Sequence, residues 1–371
     1  MLLDIATKFF RERSTIEDVR AQLTTETGYD AELWTEIAEL GWTAIALPEA
    51  YGGIGAGLTD LVTIVEPMGR HLFASPFVHT QILAQALIAG GSEDLCREWL
   101  PRIVEGAIGS LATTESDGSW DLEKVSCAAV AKGSAFVLTG TKTFVLDASI
   151  ADVILVSVTV EGAPAIALLE KAQIRGNALQ REIVIDETRR SYRLSLTGIE
   201  VPGSSLMTGE AALRALEALR STALLMTSAE SCGGTAATLN LILDYLKSRT
   251  QFDRLIGSYQ ALKHPTVDVM IGLERSRSHL YHAASLFDDA ARSGNGDGDP
   301  STVEVALRMA KAESSDAFAF AGDRAIQFHG AVGFTYECDA QLYLRRALWN
   351  QYQYGDSLHH RKRLAELMLP S

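Results

Sequence analysis

Apolar residues recur at helical spacing through roughly the first hundred residues. Leu2, Ile5, Ala6, Phe9 and Phe10 begin the pattern, and residues 32–40, 60–72 and 79–89 repeat it. Pro48, Gly52, Gly53, Gly55 and Gly57 punctuate the joins. Between about 106 and 205 the pattern shortens. Runs at 108–114, 125–131, 135–138, 153–158, 165–169 and 194–197 are rich in Val, Leu, Ile and Thr and alternate with Gly, Asp and Asn. They predict an antiparallel sheet or a small barrel. From about 208 helical spacing returns over long stretches, 209–248, 258–293, 302–328 and 337–369, with GNGDGDP at 294–300 as a loop. Long helices joined by short loops predict an antiparallel four-helix bundle. The expected fold is mostly α with a β insert: an N-terminal helical domain over 1–105, a β-domain over 106–205 and a C-terminal helical bundle over 206–371.

Composition narrows the chemistry. The chain has 371 residues, 47% hydrophobic and 22% charged, which is ordinary for a folded protein of two or three structural units. It carries 47 acidic and 33 basic residues, a formal net charge of −14. That field repels nucleic acid but leaves room for a local basic pocket. Cys96, Cys127, Cys232 and Cys338 are scattered, with no CxxC and no ligand-like spacing to histidines. They read as reduced thiols in a cytoplasmic protein, and no metal site is expected. The first twenty residues place charges inside the apolar pattern, so no signal peptide is expected. No stretch reaches the roughly 20 apolar residues of a membrane span.

Four segments carry candidate chemistry. Residues 47–57, LPEAYGGIGAG, form a turn between helices, as any Pro/Gly cluster does. Residues 113–121, TTESDGSWD, precede 138–152, LTGTKTFVLDASIAD. Without further context these are a strand pair. Residues 249–264, RTQFDRLIGSYQALKH, set Arg249 and Gln260 around a turn between two long helices. A guanidinium grips a diphosphate through paired N–H donors, although an Arg and a Gln also cap helix ends. Residues 327–337, QFHGAVGFTYE, run into LYLRRA at 342–347. Gly330 and Gly333 let backbone amides approach a phosphate just before a helix N-terminus.

Taken in order and spacing, these segments resemble the acyl-CoA dehydrogenase family. The correspondences are to its TEPxxGSD loop, its KxWITNG strand, its RxxFGxxxxxxQ turn and its QxxGGxGF stretch. The departures are Ser116 for the usual Pro, Phe144 for the common Trp and Leu146 for a frequent Thr. The resemblance implies FAD, with Thr113, Thr114 and Ser119 as donors to the flavin edge and Phe144 covering one face of its ring. It further implies that Arg249, Phe252, Gln260, Gln327, Gly330 and Gly333 reach the FAD of a neighbouring subunit. An acyl-CoA substrate, a dimer or tetramer, and an electron-transfer flavoprotein as reoxidant follow from the same resemblance.

The reaction so implied removes a proton alpha to the thioester carbonyl while a hydride leaves the beta carbon. A carboxylate must sit beside the alpha carbon. Most family members keep a Glu in a YEGT-like turn, which here reads QYGD, 353–356, with Tyr354 at the Glu position. A minority keep it on an earlier helix, where this chain has Ala223 and Leu224. Two carboxylates remain as candidate bases. Asp356 lies in the same turn, with a flavin-ribose or Arg contact as its plainer reading. Glu230 lies in the apolar run 222–234, with an interhelical hydrogen bond as its plainer reading. His359 and His360 before Arg361, Lys362 and Arg363 suit a solvated face or a phosphate contact. Three readings stay open: an active dehydrogenase, a subunit of a hetero-oligomer of the bacterial steroid or bulky-acyl type whose paralogous partner supplies the Glu, and a CoA- or flavin-binding regulatory or structural protein.

Overall fold

The computed structural model describes residues 2–293 and 300–369. Six helices open the chain: α1 (Leu2–Arg13), α2 (Ile16–Gln22), α3 (Ala31–Glu39), α4 (Leu58–Arg70), α5 (Phe77–Gly90) and α6 (Glu93–Val104). Ten strands follow: β1 (Gly109–Ala112), β2 (Ala128–Lys132), β3 (Ala135–Thr139), β4 (Thr141–Leu146), β5 (Val153–Val160), β6 (Ala163–Glu170), β7 (Leu179–Glu182), β8 (Ser191–Ser195), β9 (Ile199–Pro202) and β10 (Leu206–Met207). Then come α7 (Gly209–Ser248), the hairpin β11 (Thr250–Gln251) and β12 (Arg254–Leu255), α8 (Gln260–Ser293), α9 (Pro300–His329), α10 (Ala340–Tyr352) and α11 (Ser357–Met368). The expected class, helices, then strands, then long helices, is the observed one.

The described residues condense into two compact units. One takes residues 2–21, 57–73 and those from 224 onward; the other takes 22–56 and 74–223.

In the second unit the strands form two sheets rather than a closed barrel. One runs β10-β6-β5-β2-β3-β9 and the other β4-β8-β7. The first is mixed, not purely antiparallel, because β1 and β2 both pair with β5 in parallel. A parallel neighbour needs a crossover, and residues 113–152 supply one between β1 and β5. Period-two patterning registers burial and is blind to strand direction. Local chemistry sets the helices: Asp30 caps α3 by accepting from the Glu32 and Leu33 amides at 2.9 and 3.1 Å.

In the first unit α4 and α7 touch backbone to backbone. A β-carbon on Gly233 would lie 1.8 Å from the Glu66 carbonyl oxygen, and one on Gly69 would lie 2.0 Å from that of Glu230. Glycine is required at both contacts because nothing larger fits. The expected fourth helix over 337–369 is broken into α10 and α11. Tyr354 and Gly355 take φ of 58° and 113°, outside any right-handed helix. Helical periodicity on either side concealed the break. Among the described residues no helix is long and apolar enough to cross a membrane, and no group of three or more His, Cys, Asp or Glu is placed to hold a metal.

Candidate functional site

In the second unit, the loop 113–121 is locked to β4 by a buried ion pair. The Lys142 ammonium, fully buried, donates to Glu115 Oε1 at 2.8 Å and to Ser157 Oγ at 2.9 Å. Glu115 also accepts from the Ser126 amide at 2.9 Å and the Cys127 amide at 3.0 Å. Burial opposes its charge, but the Lys142 ammonium and the two amides win and hold the carboxyl at about 2. The Thr143 amide donates to the Thr114 carbonyl at 2.9 Å, extending β4 against the loop. Sequence reasoning singled out the hydroxyls of this loop and passed over Glu115 and Lys142. The available signal was the lone charged residue within the strand TKTFVL.

The hydroxyls of Thr113 and Thr114, both half-buried, make no hydrogen bond among the described residues, which leaves them available to a ligand. Ser119 closes a local turn: its amide donates to Asp117 Oδ1 and its hydroxyl accepts from the Asp121 amide, each at 3.2 Å. Phe144 is the outlier of this surface. It has φ of 55° and sits where the β4–β8 register slips between Lys142 and Val145. The residue is 46% exposed. The Glu182 carboxylate holds the backbone by accepting from the Phe144 amide at 2.9 Å. A left-handed aromatic costs about 1–3 kcal/mol. Leu146 is buried.

In the first unit, one end of the bundle gathers the other expected residues. The Ile256 amide donates to the Arg249 carbonyl at 2.9 Å, closing the hairpin base. Phe252 and Asp253 turn the hairpin with φ of 53° and 57°, both left-handed as a two-residue hairpin demands. This leaves Phe252 85% exposed at the tip. The Arg249 side chain is exposed and has no acidic partner among the described residues. Stacking of the His329 ring on Tyr245, centroids 4.1 Å apart, ties the end of α9 to the end of α7. Gln327, on the last turn of α9, and Gln260, opening α8, are exposed. Gly330 has φ of 64° and open space around it. Gly333 is different: its amide donates to the Gly330 carbonyl at 3.0 Å, and a β-carbon there would meet the Ile326 carbonyl oxygen at 2.5 Å. It is a packing glycine, and its amide is already engaged. Arg249 follows Tyr245 by about one turn and Gly330 follows His329, so the stacked pair brings the two stretches to the same end of the bundle.

The turn between α10 and α11 is the third feature, also in the first unit. Lys311 is fully buried. Its ammonium donates to Ser315 Oγ at 2.8 Å and to the carbonyls of Asn350, Gly355 and Gln351 at 3.0, 3.1 and 3.3 Å. Burial draws it down to about 7, against the pull of Asp356 and Asp316. Asp356 caps α11, accepting from the His359 amide at 2.8 Å. Glu230 is buried on α7, and both its oxygens are engaged: Arg346 donates to one at 2.7 Å and Asn350 to the other at 3.0 Å. Arg308 donates to His360 Nδ1 at 3.2 Å, which puts the ring proton on Nε2. His360 is held neutral, down at about 2, by burial first and then by Lys311 and Arg308. It is buried, not on a solvated face; His359, Arg361 and Arg363 keep the outward positions. Lys311 and Arg308 went unnoticed in the sequence, and Arg346 was noted only within LYLRRA, with no role of its own. Each lies in an amphipathic helix where a basic residue reads as surface.

Residues 1–107 match the pattern described as "Acyl-CoA dehydrogenase, N-terminal domain" and residues 212–369 the one described as "Acyl-CoA dehydrogenase, C-terminal domain". Acyl-CoA dehydrogenase FadE12 of Mycobacterium tuberculosis is 29% identical over 325 residues, 83% of this chain and 80% of that protein. Acyl-CoA dehydrogenase IpdE2 of Mycolicibacterium smegmatis is 27% identical over 349 residues, 94% of this chain and 91% of the relative. Among solved structures, a chain of the ChsE4-ChsE5 complex from Mycobacterium tuberculosis superposes with a TM-score of 0.88 at 24% identity, covering 100% of this chain and 96% of that one. A variant of the Tcur3481-Tcur3483 steroid ACAD does so with a TM-score of 0.85 at 27% identity, covering 99% and 96%.

Proposed function

Given that this chain belongs to the acyl-CoA dehydrogenase family, we propose that it is an FAD-binding subunit of a hetero-oligomer that desaturates an acyl-CoA thioester, and that a paralogous partner supplies the carboxylate base. One observation carries this reading. The usual base position in the turn 353–356 holds Tyr354, Asp356 engages Oδ1 as the cap of α11, and Glu230 on α7 is held at both oxygens by Arg346 and Asn350. A base needs a lone pair aimed at the substrate and a pKa raised toward the operating pH. A two-named steroid ACAD among the similar structures favours a paired assembly.

FAD, when bound, accepts the hydride. The residues of this chain bind and orient. Thr113 and Thr114 offer hydroxyls and Phe144 an exposed ring. Arg249, Phe252, Gln260, Gln327 and Gly330 are assigned to phosphate and nucleotide contacts with the FAD of a neighbouring subunit. Oligomer formation is favoured by an apolar stripe on α8, where Val267, Met270 and Ile271 stand exposed at i, i+3 and i+4. No acyl chain is assigned.

The test is purification of the native assembly, followed by its absorption spectrum and dye reduction with a panel of acyl-CoA esters, ring-bearing ones included. The expected result is a yellow complex that turns over, with the isolated chain nearly silent. A colourless assembly that cannot be reconstituted with FAD would sink the flavin assignment. Robust turnover by the chain alone would sink the partner.

A further inference from the structure

Tyr354 departs from every local preference of its residue type. It adopts φ of 58° without being glycine, and the protein surrounds it with devices that keep it there. Three backbone carbonyls next to it in the chain, those of Asn350, Gln351 and Gly355, accept from the buried Lys311 ammonium. Asp356 caps the helix that follows. Gly355, at φ of 113°, has the His360 ring where a side chain would stand, with Nε2 2.8 Å from the β-carbon position. A buried ammonium, a cap and a glycine thus hold one tyrosine in a conformation it disfavours.

The hydroxyl so presented is unclaimed. Tyr354 is half-buried, and its phenol makes no hydrogen bond among the described residues. It is also absent from the polar atoms sealed away without partners, so it opens to solvent. A phenol that opens to solvent and is claimed by no protein group is available to a ligand.

The geometry points to Tyr354 as a ligand-contacting residue of this chain, a neutral hydrogen-bond donor for an acceptor oxygen carried on the acyl part of a CoA thioester. The ligand class and the place of Tyr354 beside the acyl group rest on the proposed function above; the unclaimed donor does not. Burial pushes the phenol above its ordinary value, so it stays protonated and donates. A protonated phenol cannot take a proton from carbon, and its complement is a carbonyl or hydroxyl oxygen. The same turn is thereby a recognition element.

The native assembly is titrated calorimetrically with butyryl-CoA and with acetoacetyl-CoA, for wild type and Tyr354→Phe. The variant keeps the ring and removes only the hydroxyl. Binding about five- to tenfold weaker is expected. Weakening with both ligands assigns the bond to the thioester carbonyl; weakening with acetoacetyl-CoA alone assigns it to the acyl oxygen. Either result supports the proposal. Equal affinities with both ligands, or no binding to wild type, overturn it. Should Tyr354→Phe lower the melting temperature, both titrations are repeated at a temperature where circular dichroism shows both assemblies folded, so that only the loss of the hydroxyl is read. A colourless assembly that still loses affinity on Tyr354→Phe would reject the flavin reading and leave this one standing.

Discussion

Replacing Lys142 by Met removes an ammonium and keeps a side chain of similar length at a fully buried position of β4. Glu115 keeps its amide donors but loses its charge partner, and Ser157 loses one donor. Stranding one member of a buried pair costs about 3–5 kcal/mol. Glu115 retains 12% side-chain exposure and two amide contacts, which moves the expectation to the lower end, about 3 kcal/mol. The titration argument agrees. The Glu115 carboxyl lies at about 2 against an ordinary 4.5, and at about 1.36 kcal/mol per unit the gap is worth about 3 kcal/mol. Its folded value is depressed, so the stabilisation is fully present above about 4.5 and is lost as pH falls toward 2. Chemical denaturation at pH 7, followed by circular dichroism, should show the loss. At pH 3 the gap between wild type and Lys142→Met should narrow. The double mutant Lys142→Met, Glu115→Gln should recover much of the cost, because no charge is left buried alone. A loss under about 1 kcal/mol at pH 7, or a gap that does not narrow in acid, would refute the assignment of this pair as the lock of the 113–121 loop.

Other substitutions separate the roles of single residues. Arg249→Ala should weaken flavin retention by about 1.5–3 kcal/mol, whereas Arg220→Ala, which breaks a same-helix pair with Glu217, should leave it unchanged; equal dialysis losses would reject the phosphate contact. Asp356→Asn keeps a capping side chain but removes a charge that supports the buried Lys311 ammonium, so it should lower stability while leaving the turnover of the assembly unchanged; Asp356→Ala should cost about 1 kcal/mol more through loss of the cap. A 10²–10⁴-fold drop in rate for Asp356→Asn would instead make Asp356 the base. Glu230→Gln leaves Arg346 buried without its charge partner and should destabilise by about 3–5 kcal/mol; a variant as stable as wild type with lost turnover would restore Glu230 as a catalytic candidate.

Helix-rich ends around a strand-rich middle follow directly from periodicity, because burying one face at a 3.6- or 2-residue repeat is a local property of the chain. The loop, strand, turn and glycine stretches were also legible, since short motifs at fixed offsets survive as text. Several decisions lay beyond that reach. Strand direction came from crossovers, so the sheet proved mixed. The last helix broke at Tyr354 and Gly355 because Lys311, some forty residues away in sequence, collects the carbonyls of that turn. Glu230 read as a candidate base until Arg346 and Asn350, over a hundred residues on, closed around it. In the last two cases a deciding partner is a charged group, Lys311 or Arg346, brought in from a distant segment and desolvated. The energy of such a group depends on what surrounds it, and only the folded chain assembles those surroundings.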